Sequence, residues 1–170
     1  MMPPLHRRHV LSSGTALLLS ACTNLIGPQP ASQIYLLRPP LPQSATGSGA
    51  GGKVDWALAV ARPDASDALD GDRIALTRTP TELDYYANAQ WADRLPRLVQ
   101  AALIAGFEAS GRIAAVAREE DAVHADYELL TDIRDFEARY RSLDAAPDAA
   151  VTLISQIADS RSRAIVAGLN

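Results

Sequence analysis

The amino-acid sequence predicts an α+β domain: a mostly antiparallel or mixed sheet of short strands with one long amphipathic helix, at about residues 93–110, packed on it. Three observations lead there. Short β-branched, aromatic or alternating apolar runs recur between Gly, Pro, Asp and Ser punctuation, about seven or eight in all. One stretch keeps a helical period, with Leu95, Leu98, Val99, Ala102, Leu103 and Phe107 at i, i+3, i+4, i+7, i+8 and i+12. An apolar content of 48% is enough for a real core.

The first residues read as a signal rather than as fold. His6, Arg7, Arg8 and His9 form a basic n-region, and Val10 to Leu19 a short apolar stretch. A spanning helix needs about 20 apolar residues, so this stretch is too short to cross a bilayer. It ends Leu19-Ser20-Ala21-Cys22. An apolar residue, two small residues and a cysteine make a lipobox: the thiol accepts a diacylglyceryl group, and small neighbours let the peptidase approach. Residues 1–21 are therefore the expected signal peptide, and 22–33 the lipidated Cys22 with its tether. Cys22 is the sole cysteine, which excludes an intrachain disulfide. Thr23 follows it, where an Asp commonly retains lipoproteins on the inner membrane, so the outer membrane is the expected destination. Arg7-Arg8 leaves twin-arginine export open beside the general secretory route.

Residues 34–170 have the size of one domain. Ile34 to Arg38 reads as a first strand closed by Pro39 and Pro40, and Pro42 to Lys53 as a flexible Gly/Ser loop. The glycines are not a phosphate loop, because no Gly-Lys-Ser/Thr follows them. Val54 to Ala61 is a second strand, with Trp56, Leu58 and Val60 on one face. Asp64 to Ala68 is a turn or short helical segment. Asp70-Gly71 turns the chain into Arg73 to Arg78, and Glu82 to Asn88 follows, the whole reading as a meander. Pro96 is tolerable only in a helix's first turn, so the helix starts near Asp93 as N-cap and ends at Ser110-Gly111. Arg112 to Ala117 returns as a strand. Along Ala125 to Tyr140, residues Tyr127, Leu129 and Ile133 share a face, and Phe136, Ala138 and Tyr140 rejoin it if one residue bulges near Arg134-Asp135. Ala150 to Ala158 and Arg163 to Leu169 are joined across Asp159 to Ser162. One helix covers only part of such a sheet.

Composition and motifs exclude several functions. The full chain has 16 basic and 20 acidic residues; losing Arg7 and Arg8 leaves 14 against 20, a net charge near −6. That disfavours nucleic acid, whose phosphates need clustered Lys and Arg. His124, beside Asp126, has no serine elbow or other nucleophile motif to serve. No catalytic residue is assigned. One mature histidine and a lipidated cysteine make a poor metal set, and Glu119-Glu120-Asp121 lacks the alternation and turn glycine of a calcium loop. No metal and no cofactor are expected beyond the covalent lipid on Cys22. Tyr85, Tyr86 and Trp91 are the candidate partner or ligand contacts, since clustered aromatics ahead of a helix can form a binding hot spot. Trp91 is expected to pack in the core, and Tyr85 and Tyr86 to point to opposite strand faces.

These segments carry a resemblance. The lipobox at Cys22, Ile34-Tyr35-Leu36-Leu37, the run from Leu69-Asp70-Gly71-Asp72 to Leu76, the run from Glu82-Leu83-Asp84-Tyr85-Tyr86 through Trp91 to Leu95-Pro96, and Asp126 to Leu129 together resemble the ABC-type transport auxiliary lipoprotein component family, the PqiC-like outer-membrane lipoproteins. The resemblance spans Ile34 to Asn170. It implies a non-enzymatic α+β domain on the periplasmic face of the outer membrane. Its implied partners are an MCE-family protein, an ABC permease and an ATPase that together move phospholipid or other hydrophobic molecules between membranes. Self-association into a homo-oligomer stays open. It also implies a further C-terminal helix, so the chain is expected to be truncated at Asn170. The alternative is an independent lipid or solute carrier, with an apolar cavity between helix and sheet lined by residues such as Leu98, Leu103 and Phe107.

Overall fold

The computed structural model describes residues 31–40, 52–122, 124–142 and 144–169. The strands are β1 (Gln33–Tyr35), β2 (Val54–Val60), β3 (Asp64–Ala65), β4 (Arg73–Thr79), β5 (Glu82–Trp91), β6 (Ile113–Arg118), β7 (Tyr127–Arg139), β8 (Asp148–Asp159) and β9 (Ile165–Leu169). One α-helix, α1 (Leu95–Ser110), lies between β5 and β6. The α+β prediction holds: the sheet is mixed, and one helix packs on it.

The connectivity is not the predicted meander. β7 is the spine. Along one edge it pairs antiparallel with β8 over its whole length. Along the other it receives three strands in parallel: β2 at Tyr127 to Leu129, β3 at Asp132 and Ile133, and β4 at Glu137 to Arg139. β6 adds to β2 in parallel, β5 to β4 as an antiparallel hairpin, and β1 to β5 in parallel. Only hairpin-linked neighbours are antiparallel. β2 and β4 reach β7 after α1 and β6 have intervened, and such crossovers give parallel pairs.

The predicted bulge in β7 is present. Ile133 pairs with Leu153 and Asp135 with Thr152, so Arg134 is the extra residue. The slip lets Ile133 and Phe136 both pack in one apolar cluster. The segment read as a turn or helix at Asp64 to Ala68 begins instead as β3, because β7 offers Asp132 and Ile133 as ladder partners.

α1 departs from its prediction at its start and on its buried face. Arg94, not Asp93, is the N-cap, and no side chain caps the helix. The Leu95 amide donates to the Gly71 carbonyl at 2.8 Å, so a loop satisfies a helix-start donor that Asp93 was expected to serve. Asp93 instead accepts from the Arg94 amide and pairs with Arg97. The buried stripe is Leu95, Val99, Leu103 and Phe107, flanked by Pro96, Gln100 and Ile104. Leu98 and Ala102 fall at its rim and are half-buried. Gln100 is 1% exposed; its amide donates to the Val60 carbonyl at 3.0 Å and its carbonyl accepts from Arg118 at 2.9 Å. A polar residue thus occupies a core position with both polar ends satisfied. Gly111 closes the helix at φ 63°, a left-handed cap as predicted.

Two apolar clusters share α1. Leu69, Ala75, Leu95, Val99 and Ile133 form one; Leu58, Val60 and Leu129 form the other, with Trp56, Phe107 and Tyr127 against it. Leu103 packs against both. The helix does not reach across the whole sheet. Val151 on β8, and Ile165 and Val166 on β9, remain more than half exposed.

Candidate functional site

Leu19, Ser20, Ala21 and Cys22 lie outside the described residues, as does most of the Gly/Ser loop. Among the described residues, no helix is long and apolar enough to cross a membrane.

The two motif runs lie five residues apart in the chain, and their far ends meet in space. Gly71 receives the Leu95 amide, and the Asp72 carbonyl receives the Trp91 amide at 2.6 Å. Arg94 reaches the Asp70 carboxylate at 2.8 Å and the Asp70 carbonyl at 2.7 Å, while Arg62 meets the same carboxylate at 3.0 Å. The hydrogen bond from Arg94 holds the Asp70 carboxyl below the ordinary carboxylate range; partial burial opposes it, and the charges of Arg94 and Arg62 add to it. The guanidinium of Arg73 stacks 3.5 Å from the Tyr85 ring centre, and the Tyr85 hydroxyl donates to the Ala68 carbonyl. The junction therefore welds the turn before β4 to the start of α1. Its function is positional: it fixes where the helix begins on the sheet.

The three aromatic candidates do not form one surface. Tyr85 belongs to this weld and packs against the first apolar cluster. The Tyr86 hydroxyl meets the Tyr140 hydroxyl at 2.9 Å. Burial, the bond to Tyr140 and that residue's charge push the Tyr86 phenol up to about 12. Neither tyrosine stands fully outward; both are half-buried. Trp91 stands edge-on to Phe136, 5.8 Å between ring centres at 76°, as a core-packing reading expects. Its other side opens on an apolar recess of about 250 Å³, walled also by Ile74, Ala138, Pro147 and Val151. Sequence reading returns Phe136 to the core face without placing it beside Trp91, and it misses Val151 here. The bulge at Arg134 is the signal that places Phe136 beside Trp91.

The cavity expected for a carrier, between helix and sheet, is filled. Leu103 and Phe107 pack into the clusters, and Leu98 lines a polar cleft with Arg62, Asp93 and Arg97. A larger recess of about 600 Å³ opens beside β4 and the end of β7. Its arginines are neutralised: Arg78 by Asp84, Arg134 by Asp132, Arg139 by Glu137 and Arg141 by Asp148.

His124 is exposed, and the Asp126 carboxylate accepts from the Ala57 amide at 2.9 Å, stitching the strand start to β2. Glu119, Glu120 and Asp121 form a single 3₁₀ turn. Among the described residues no three His, Cys, Asp or Glu side chains converge as metal ligands.

Comparison with known proteins agrees with this architecture. A crystal structure of protein XCC0632 from Xanthomonas campestris, a DUF330 protein, superposes with a TM-score of 0.71 at 33% identity, covering 81% of this chain and 74% of that one. A second solved structure, of a protein titled only as uncharacterized, superposes with a TM-score of 0.60 at 15% identity over 82% and 78% of the two chains; it supports the fold alone. The protein bll6063 of Bradyrhizobium diazoefficiens is 36% identical over 84 residues, 49% of this chain. The match spans only 22% of that relative's length. The family model described as ABC-type transport auxiliary lipoprotein component matches residues 35–168. With nearly the whole described domain inside that match, the chain belongs to the ABC-type transport auxiliary lipoprotein component family.

Proposed function

We propose that this protein is held by lipid on Cys22 at the periplasmic face of the outer membrane. There it docks the MCE-type assembly of an ABC lipid-transport system, without turnover of its own. Family membership over residues 35–168 carries the reading. The lipobox from Leu19 to Cys22 supports the anchor. The domain suits docking: its helix–sheet interior is packed, the arginines of its larger recess are ion-paired, and most of its exposed large apolar side chains lie on or beside β1, β8 and β9.

Two measurements test it. Cys22→Ala should leave the fold intact and release the protein from membranes; a variant still membrane-bound at high salt would remove lipid as the main anchor. Pull-down of the tagged protein from detergent-solubilised native envelope should recover an MCE protein with its permease and ATPase. Recovery of the protein alone with a bound lipid would favour the second reading, a carrier. The apolar recess beside Trp91 is the observation in that reading's favour. Its volume of about 250 Å³ falls below the span of about 300–1,000 Å³ usual for ligand pockets.

A further inference from the structure

We infer that β1 and the residues beside it form a shallow membrane-contacting surface, with Ile34 and Leu36 seated among lipid headgroups and upper acyl chains. The inference rests on lipid anchoring at Cys22. Ile34 is 65% exposed, Tyr35 45% and Leu36 56%, three large apolar or aromatic residues in succession at the end of an edge strand. Leu37 packs inward against the first cluster and fixes the strand to the domain. The described residues 31–40 carry one charge, Arg38, and no acid, although the chain as a whole is acidic. An apolar stretch with an aromatic and an arginine is the chemistry of an interfacial segment. It suits a surface bearing anionic headgroups and offers an acidic environment no repulsion.

The covalent chain limits where this surface can be. About ten residues separate Cys22 from the start of β1, and such a tether spans at most about 35 Å. β1 is therefore held near the bilayer whenever the anchor is inserted, and among the described elements it is the nearest to Cys22 along the chain. The depth follows from the backbone. Among the described residues β1 pairs with β5 alone, on one side, and its outer edge presents unpaired backbone amides and carbonyls. Those groups are tolerated among hydrated headgroups and costly in the hydrocarbon core. The contact is therefore interfacial.

The lone cysteine makes a clean test possible. Once Cys22 is acylated, an introduced cysteine is the chain's single free thiol. Ile34→Cys, Leu36→Cys and, as control, Glu108→Cys would each be labelled with an environment-sensitive fluorophore in the full-length lipidated protein. Glu108 is exposed and lies about 20 Å along α1 from the end that packs beside Leu37. The proteins would be reconstituted into vesicles of phosphatidylethanolamine and phosphatidylglycerol carrying spin-labelled lipid. Blue-shifted emission and several-fold stronger quenching at positions 34 and 36 than at 108 are expected. Equal, water-like signals at all three positions, in protein that floats with the vesicles, would overturn the surface and leave the anchor standing. Blue shift without lipid quenching, with oxidative disulfide cross-linking between copies of the unlabelled Ile34→Cys protein, would assign the edge to self-association and overturn it as well. Failure to float would remove the anchor, and the inference with it.

Discussion

Gln100 and Tyr86 show how single side chains depend on partners far away in sequence. Gln100 stands beside the helix's apolar stripe, yet it is almost wholly buried and bonded at both ends. Replacing it with Leu keeps the volume and leaves the Val60 carbonyl and the Arg118 guanidinium each short of a partner. An unsatisfied buried polar group costs about 1–3 kcal/mol, and Gln100→Leu should lose stability in that range in urea unfolding. Tyr86 predicts a pH effect. Its folded value of about 12 lies above the ordinary tyrosine value, so the unfolded chain loses this proton at lower pH than the folded one. The contribution is whole below about pH 10 and is lost progressively as pH rises toward about 12. Tyr86→Phe should flatten the alkaline fall in stability, and a titration of phenolate absorbance should show one fewer late-ionising tyrosine.

The long strand β7 holds the element-level lesson. Its apolar residues change phase after Ile133, and one inserted residue, Arg134, puts Phe136 back on the core face. A strand's side chains alternate with period two, so removing one regularly paired residue sends everything beyond it to the other face, whereas removing the extra residue of a bulge leaves the faces as they are. Deleting Arg134 alone should therefore only straighten the strand and leave Phe136 against Trp91, whereas deleting Arg134 and Asp135 together should turn Phe136 away from Trp91 and abolish cooperative unfolding. Arg134→Gly, which keeps the residue count, should stay near the parent. Near-UV circular dichroism with urea titration separates these outcomes. The helix teaches the complementary point. Its C-terminus is legible in Gly111, whose positive φ needs glycine. Its N-terminus is not, because Gly71, 24 residues upstream of Leu95, supplies the acceptor that sets the start.

Across the whole molecule, β7 joins two half-sheets. β2, with β6 beyond it, pairs with its first part, and β4, β5 and β1 extend from its last. The joining pairs are distant in the chain: Leu58 meets Tyr127, and Ala75 meets Glu137. Long loops must close before such contacts stabilise anything, so refolding should take milliseconds to seconds rather than microseconds. The two tryptophans report the halves separately, Trp56 against Tyr127 and Trp91 against Phe136. Stopped-flow fluorescence of Trp56→Phe and Trp91→Phe should give the same slow rate, because both halves wait for β7. A dominant microsecond phase from either tryptophan would contradict this.

What can be read without the fold is whatever depends on neighbours in the chain. The strand and helix segments, the left-handed glycine after α1, the β7 bulge and the lipobox pattern are local: they rest on periodicity, on φ preference or on a contiguous motif. The family follows from such runs too, because they are contiguous. Partners are another matter. The parallel pairing onto β7, the true N-cap of α1, the buried role of Gln100 and the meeting of Asp70 with Arg94 all join residues whose separation in sequence carries no signal of contact. Hydrogen bonds and buried contacts are satisfied by whichever group the packed chain brings within reach, and here that group lies far away in sequence.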